Sequence, residues 1–351
     1  KKKRNSQSKS INQKTWHSYR SKMTELSPEA VWRMGEKEFS DLLEKGSFLP
    51  WSGRIHFYAP SFMFYKTGHY RSLPTEFPTI SITGKGCALK CKHCGGIVLE
   101  TMYPAATPEE LYLLSAQLGN KGASGCLISG GCLPNGSVPI GKFLPTLERI
   151  KRELGLTLFV HTGIIDTRTA EALRKAGVDA ALMDIIGSHE TIKEIYNLKM
   201  TRRDYAGSLR ALTNANIPFV PHVIVGLHYG KLKGELNALK MISQHKPSAL
   251  VIIAFMPIHN TEMEHVKPPK PTDIAKVIAT ARLLFPETPL ALGCMRPKGE
   301  HRTKTDILAM KCGVDAIAFP TKEAIEFAEN QGLKTSFSQM CCAHLYVDIK
   351  R

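Results

Sequence analysis

From residue 79 onward, short β-rich apolar runs alternate with amphipathic helical stretches about every 30 residues, and this alternation is what most restricts the fold. The β-rich runs are 79–84, 126–129, 157–161, 180–184, 219–225, 250–254, 290–292 and 314–318. Helical stretches fall near 107–119, 141–154, 167–176, 202–215, 231–245, 272–284, 301–311 and 321–331, several opening on a capping residue such as Thr107, Asp166 or Thr272. Eight strands, each followed by a helix, predict an α/β protein built as a (β/α)8 TIM-type barrel over 79–331. In such a barrel the chemistry sits at the C-terminal ends of the strands.

What precedes the alternation reads differently. Residues 1–26 form a basic, flexible tail, with Lys1, Lys2, Lys3, Arg4, Lys9, Lys14, Arg20 and Lys22. Ser27 and Pro28 then mark a helix start, with Val31, Met34, Phe39, Leu42 and Leu43 on a buried face as far as Gly46. Residues 50–78 are rich in aromatics (Trp51, Phe57, Tyr58, Phe62, Phe64, Tyr65, Tyr70) and read as a connecting segment that covers the main domain. Residues 332–351 form a C-terminal tail able to fold back as a lid.

The loop after the first β-rich run is CALKCKHC, with Cys87, Cys91 and Cys94 spaced C-x3-C-x2-C. Three thiolates on one loop hold three irons of a [4Fe–4S] cluster and leave the fourth open for a small molecule. A zinc knuckle is the competing reading, but zinc sites usually pair C-x2-C with a second such pair, and no second C-x2-C occurs in the chain. Nine cysteines without a secretory signal favour a reducing, cytoplasmic setting in which thiols serve metals. No apolar run approaches the ~20 residues of a membrane span. The 47 basic and 31 acidic residues give a net charge of +16, which favours an anionic partner, either nucleic acid or an acidic protein domain.

Other strand ends carry polar or glycine residues that a barrel would gather at one mouth: Ser129-Gly130-Gly131-Cys132, His161, Asp184, and Val225-Gly226 in HVIVGLHYG. A structural hydrogen bond at a strand end is the plain alternative for each. Cys132 is a candidate for a second metal site or simply a lining thiol. Cys294, in GCMRP with Arg296, closes the seventh β-rich run, and Cys341-Cys342 lies in the tail. Cys126 and Cys312 belong at the opposite end of the strands as buried apolar residues. By elimination, Cys132, Cys294, Cys341 and Cys342 are candidates for a second iron–sulfur cluster.

CALKCKHC matches the signature of the radical S-adenosylmethionine (SAM) superfamily, and from about residue 77 to 320 the chain resembles its biotin synthase and lipoyl synthase branch. SGGC, HVIVGLHYG and GCMRP carry the match. HCGG and SGGCLPNGSVPI look most like the biotin-synthase-related subunits of the two-protein lipoyl synthase of archaea and some bacteria. The resemblance implies that SAM binds the open iron and is cleaved to a 5'-deoxyadenosyl radical. It further implies that a second [4Fe–4S] cluster gives sulfur to an octanoyl group on an acidic lipoyl domain or glycine-cleavage H protein. Ser129, Gly130 and Gly131 would meet the methionine amino group, Asp184 the ribose or methionine, and His93, Val225 and Gly226 the adenine, with His161 a further cofactor-binding candidate. Cys132, Cys294 and Arg296 would serve the chemistry. The chain departs from the family in having Cys132 where an acidic residue is usual, and in having no cysteine before Cys87. A paired second radical SAM subunit and an electron donor such as ferredoxin are implied partners. Nucleic acid is not expected, because no appended RNA-binding module is visible.

Overall fold

The computed structural model describes residues 26–350 except 47, 49–52, 62, 63, 69 and 74. The basic tail through residue 25, Trp51 and Phe62 lie outside the described residues. Among those described, no helix is long and apolar enough to cross a membrane.

Among the described residues, eleven strands form one sheet: β1 (Arg54–Tyr58), β2 (Thr79–Ser81), β3 (Tyr103–Pro104), β4 (Gly125–Ser129), β5 (Thr157–His161), β6 (Ala180–Asp184), β7 (Phe219–Val225), β8 (Leu250–Ala254), β9 (Leu290–Leu292), β10 (Ala316–Ala318) and β11 (Lys334–Ser338). Their order is β11-β1-β10-β9-β8-β7-β6-β5-β4-β2-β3, and the neighbouring pairs are parallel. The sheet curls into a half-barrel of the TIM type, with α-helices between successive strands from β4 to β11. All eight anticipated strands are present as β2 and β4–β10.

The sheet runs past the boundaries read from the sequence. Residues inside the aromatic-rich connector form β1, and residues inside the C-terminal tail form β11. Because β1 pairs with β10, the eight-strand run does not close on itself: β10 bonds β9 and β1, while β2 bonds β3 and β4. Aromatic contacts weld this addition, with Tyr70 stacked on Phe337 at 5.0 Å and Phe57 against Phe337 at 5.2 Å.

Capping chemistry sets the helix starts. Ser27 accepts from the Ala30 N–H, Thr107 and Glu110 form a reciprocal box, and Asp166 accepts from the Thr169 N–H. The first helix breaks at Met34-Gly35 into Pro28–Arg33 and Glu36–Glu44. Thr272 does not cap its helix; Pro271–Leu284 begins one residue earlier, and the Thr272 hydroxyl donates to Glu36 instead.

The C-terminal tail, read from the sequence as able to fold back as a lid, packs against the sheet. Cys342, Ala343 and Leu345 pack within the concave face of the sheet, against Phe159, Ala180, Leu182, Val220, Val251, Ala291, Ala316 and Ala318. His344 lies 6.1 Å ring to ring from Phe159, and the Tyr346 hydroxyl donates to the Asp179 carbonyl, just before β6. The Tyr58 hydroxyl donates to Asp348 at 2.7 Å. The cause is side-chain volume. TIM interiors are filled mostly by Val, Ile and Leu, whereas this wall presents alanines from β6, β9 and β10, leaving room that the tail fills as a plug.

Candidate functional site

Close packing between two strand-end loops builds the centre of the site. Gly131 stands so near the cysteine loop that a Cβ there would lie 2.0 Å from the Gly86 carbonyl oxygen and 2.6 Å from the Cys87 Cα. Its N–H donates to the Thr83 hydroxyl at 2.7 Å, and the Ala88 N–H donates to the Cys132 carbonyl at 2.9 Å. Gly130 is nearly as tight, with Thr83 and Ile82 3.1–3.2 Å from its notional Cβ. From the other side, residues 195–197 clamp the loop. The Lys92 N–H donates to the Ile195 carbonyl, and the Asn197 amide donates to the Leu89 and Lys90 carbonyls. Thr83 and Asn197 were missed from the sequence because neither belongs to a motif.

All nine cysteines are free thiols. Cys91 and Cys94 share a hydrogen bond, which raises Cys91 and lowers Cys94 to about 7; burial and the charges of Cys94, Cys87 and Cys132 push Cys91 up further. Mutual repulsion among gathered thiolates is what a bound cation relieves, so the donor set fits an iron–sulfur cluster. Beside it, His93 lies 5.2 Å ring to ring from Tyr196, its Nδ1 is buried without a hydrogen-bond partner, and burial lowers it to about 4.

The four cysteines expected to act together divide into two groups. Cys132 lies with the first loop, pushed up to about 12 by burial and by the charges of Cys87, Asp184 and Cys94. The two glycines before it cause this, since they let the loop dock directly on Cys87. Cys294, Cys341 and Cys342 form the second group. Burial and then Cys341 push Cys294 up to about 11, while the hydrogen bond between the adjacent cysteines lowers Cys341 and raises Cys342. Arg296 adjoins these thiols, but its guanidinium is fully buried and committed to Asp306 at 2.7 Å and to the Gly293 and Phe319 carbonyls. It holds the loop after β9 together. Cys126 and Cys312 are buried apolar residues, as expected, 1% and 0% exposed.

The remaining expected residues lie at strand ends. Ser129 ends β4, and its carbonyl accepts from Ile82. Val225 is buried at the end of β7, and Gly226 follows with φ +72° and Pro269 at 2.6 Å from a notional Cβ. The Gly226 N–H donates to Glu235, whose other carboxylate oxygen is buried and unpartnered; burial pushes this carboxyl up to about 7. His161 and Asp184 face each other at 3.7 Å, and burial raises Asp184 despite the opposing effect of His161. His222 stands beside them, its ring 5.6 Å from that of His161.

A parallel curled sheet with three gathered thiols and glycine-lined loops at its strand ends defines a class. Residues 81–232 match the family model for the radical SAM superfamily. Over those residues the chain is similar to radical SAM enzymes, and at low identity it is similar to biotin synthases. It is 26% identical over 250 residues to the biotin synthase of Prochlorococcus marinus (strain MIT 9301), covering 68% of this chain and 72% of that protein. It is 27% identical over 164 residues to the biotin synthase of Vesicomyosocius okutanii subsp. Calyptogena okutanii (strain HA), covering 45% and 49%. Among solved structures it resembles HydG, a maturase of the [FeFe]-hydrogenase, with TM-score 0.62 and 16% identity over 96% of this chain and 78% of that one. It also resembles methylornithine synthase (PylB), with TM-score 0.57 and 14% identity over 98% and 97%. At such identities the structures speak for the fold alone.

Proposed function

We propose that this chain is a sulfur-inserting radical SAM enzyme of the lipoyl synthase type, acting on an octanoyl group attached to an acidic carrier protein. The observation that carries the proposal is that Cys294, Cys341 and Cys342 belong to one hydrophobic cluster, whereas Cys87, Cys91, Cys94 and Cys132 belong to another. In this reading Cys87, Cys91 and Cys94 hold the first cluster, and Cys294, Cys341 and Cys342 hold a second that donates sulfur. When bound, the first cluster supplies a hydrogen-abstracting radical from SAM. Gly130 and Gly131 bring backbone close to the methionine end, and Val225 and Gly226 pack on the adenine. His93 and Tyr196 shield the cysteine loop from water, which a reactive radical requires. The +16 charge steers an acidic carrier. A paired second subunit, a ferredoxin-type electron donor and a cytoplasmic setting belong to the same reading.

The similarity to biotin synthases favours a second reading, in which the acceptor is a small-molecule precursor. Anaerobic reconstitution with SAM and reductant separates the two. Thiolation of an octanoyl-lysyl peptide supports the first, and turnover of the biotin-synthase substrate alone rejects it. Iron counting tests the second cluster: a Cys87/Cys91/Cys94→Ala variant should retain about four irons, and none retained removes the sulfur donor.

A further inference from the structure

We infer that His161, Asp184 and His222 form a mononuclear site for a divalent transition metal on the concave face of the sheet, with no cysteine among its three ligands. One ligand atom from each of the three residues falls within 4.8 Å of the others, and His161 Nε2 is 3.7 Å from Asp184 Oδ1.

Strand register produces the cluster. His161 is the partner of Leu182 across β5 and β6, and Asp184 is the partner of His222 across β6 and β7. Leu182 and Val220 both belong to the inner cluster. Side chains alternate along a strand, so His161, Asp184 and His222 lie on that same inner face at the C-terminal ends of three adjacent strands.

A second observation points to a ligand. His222 is only 8% exposed, and its Nδ1 has no hydrogen-bond partner. A buried ring nitrogen without a partner costs free energy. Two imidazoles and one carboxylate suit Zn2+, Fe2+ or Co2+, and three protein ligands leave positions open for water or an oxygen or nitrogen donor on a substrate. The proposal does not depend on sulfur insertion, because it concerns only metal binding.

The test uses the reconstituted holoprotein and Co2+ as probe. Equilibrium dialysis should give about one cobalt per chain, with cobalt K-edge absorption showing nitrogen and oxygen neighbours and no sulfur. His222→Ala should abolish that binding while leaving iron and sulfide content, far-UV circular dichroism and SAM affinity unchanged. Asp184→Asn, which keeps the side-chain shape, should weaken cobalt binding by at least about tenfold. Cobalt bound only through sulfur, cobalt retained in full by His222→Ala, or no stoichiometric cobalt would each overturn the proposal. Preserved SAM binding in His222→Ala separates loss of this metal from failure of the cysteine-loop site.

Discussion

Gly131 and Cys87 are packed backbone to backbone, with 2.6 Å between the Cys87 Cα and the position a Gly131 Cβ would take. The strand-end loop after β4 is therefore part of the scaffold that presents the first cysteine. Gly131→Ala must displace one loop from the other, because the obstruction is main chain and cannot rotate away. Reconstituted Gly131→Ala should lose at least half of the iron held at the first loop, and deoxyadenosine formation should fall by more than about tenfold. Full iron content and wild-type SAM cleavage would show that the contact is not needed.

Leu345 tests the plug. It is 0% exposed among the inner residues of the half-barrel. Leu345→Ala should destabilise the fold by about 2–5 kcal/mol, read as a lower urea midpoint at unchanged slope. A change below about 0.5 kcal/mol, the level of a surface substitution, would argue that the tail is not packed inside the sheet.

The Arg296–Asp306 pair is fully buried on both sides. Asp306→Ala strands a guanidinium without its countercharge and should cost about 3–5 kcal/mol. Since Arg296 holds the loop bearing Cys294, thermal unfolding should move down together with any iron retained by the Cys87/Cys91/Cys94→Ala variant. Loss of stability alone would separate the pair from the second cysteine group.

Glu235 predicts a pH dependence. Burial raises its folded carboxyl from 4.5 to about 7, against the lowering effect of the Gly226 N–H. The folded state thus binds the proton more tightly than the unfolded chain. Its contribution is fully present below about pH 4.5 and is lost as pH rises through about 7, a change on the order of 3 kcal/mol. Urea unfolding between pH 6 and 8 should show stability falling with pH from this group, and Glu235→Gln, which still accepts from Gly226, should flatten that slope. An unaltered slope would reject the assignment.

Much of the architecture was legible because periodicity and capping are local. The eight alternating strands, the caps at Ser27, Thr107 and Asp166, and the burial of Cys126 and Cys312 follow from residues close together in the chain. β1 and β11 were not legible as strands: one lies in an aromatic-rich run and the other in a polar tail, and each becomes a strand only through its neighbours. Where the tail packs was not legible, because the alanines of β6, β9 and β10 that admit it are spread over the chain.

By itself, then, the sequence determined that three thiols would share one loop at the end of a strand in a parallel α/β fold, since C-x3-C-x2-C and strand–helix alternation are short-range properties. Tertiary structure decided which distant side chains meet. It put Cys132 with Cys87 and away from Cys294, drew Cys341 and Cys342 beside Cys294, and joined His222 to His161 and Asp184 through the register of β5, β6 and β7. The physical reason is that register, sheet curl and interior volume are set by all the strands together, and no single stretch of chain contains them.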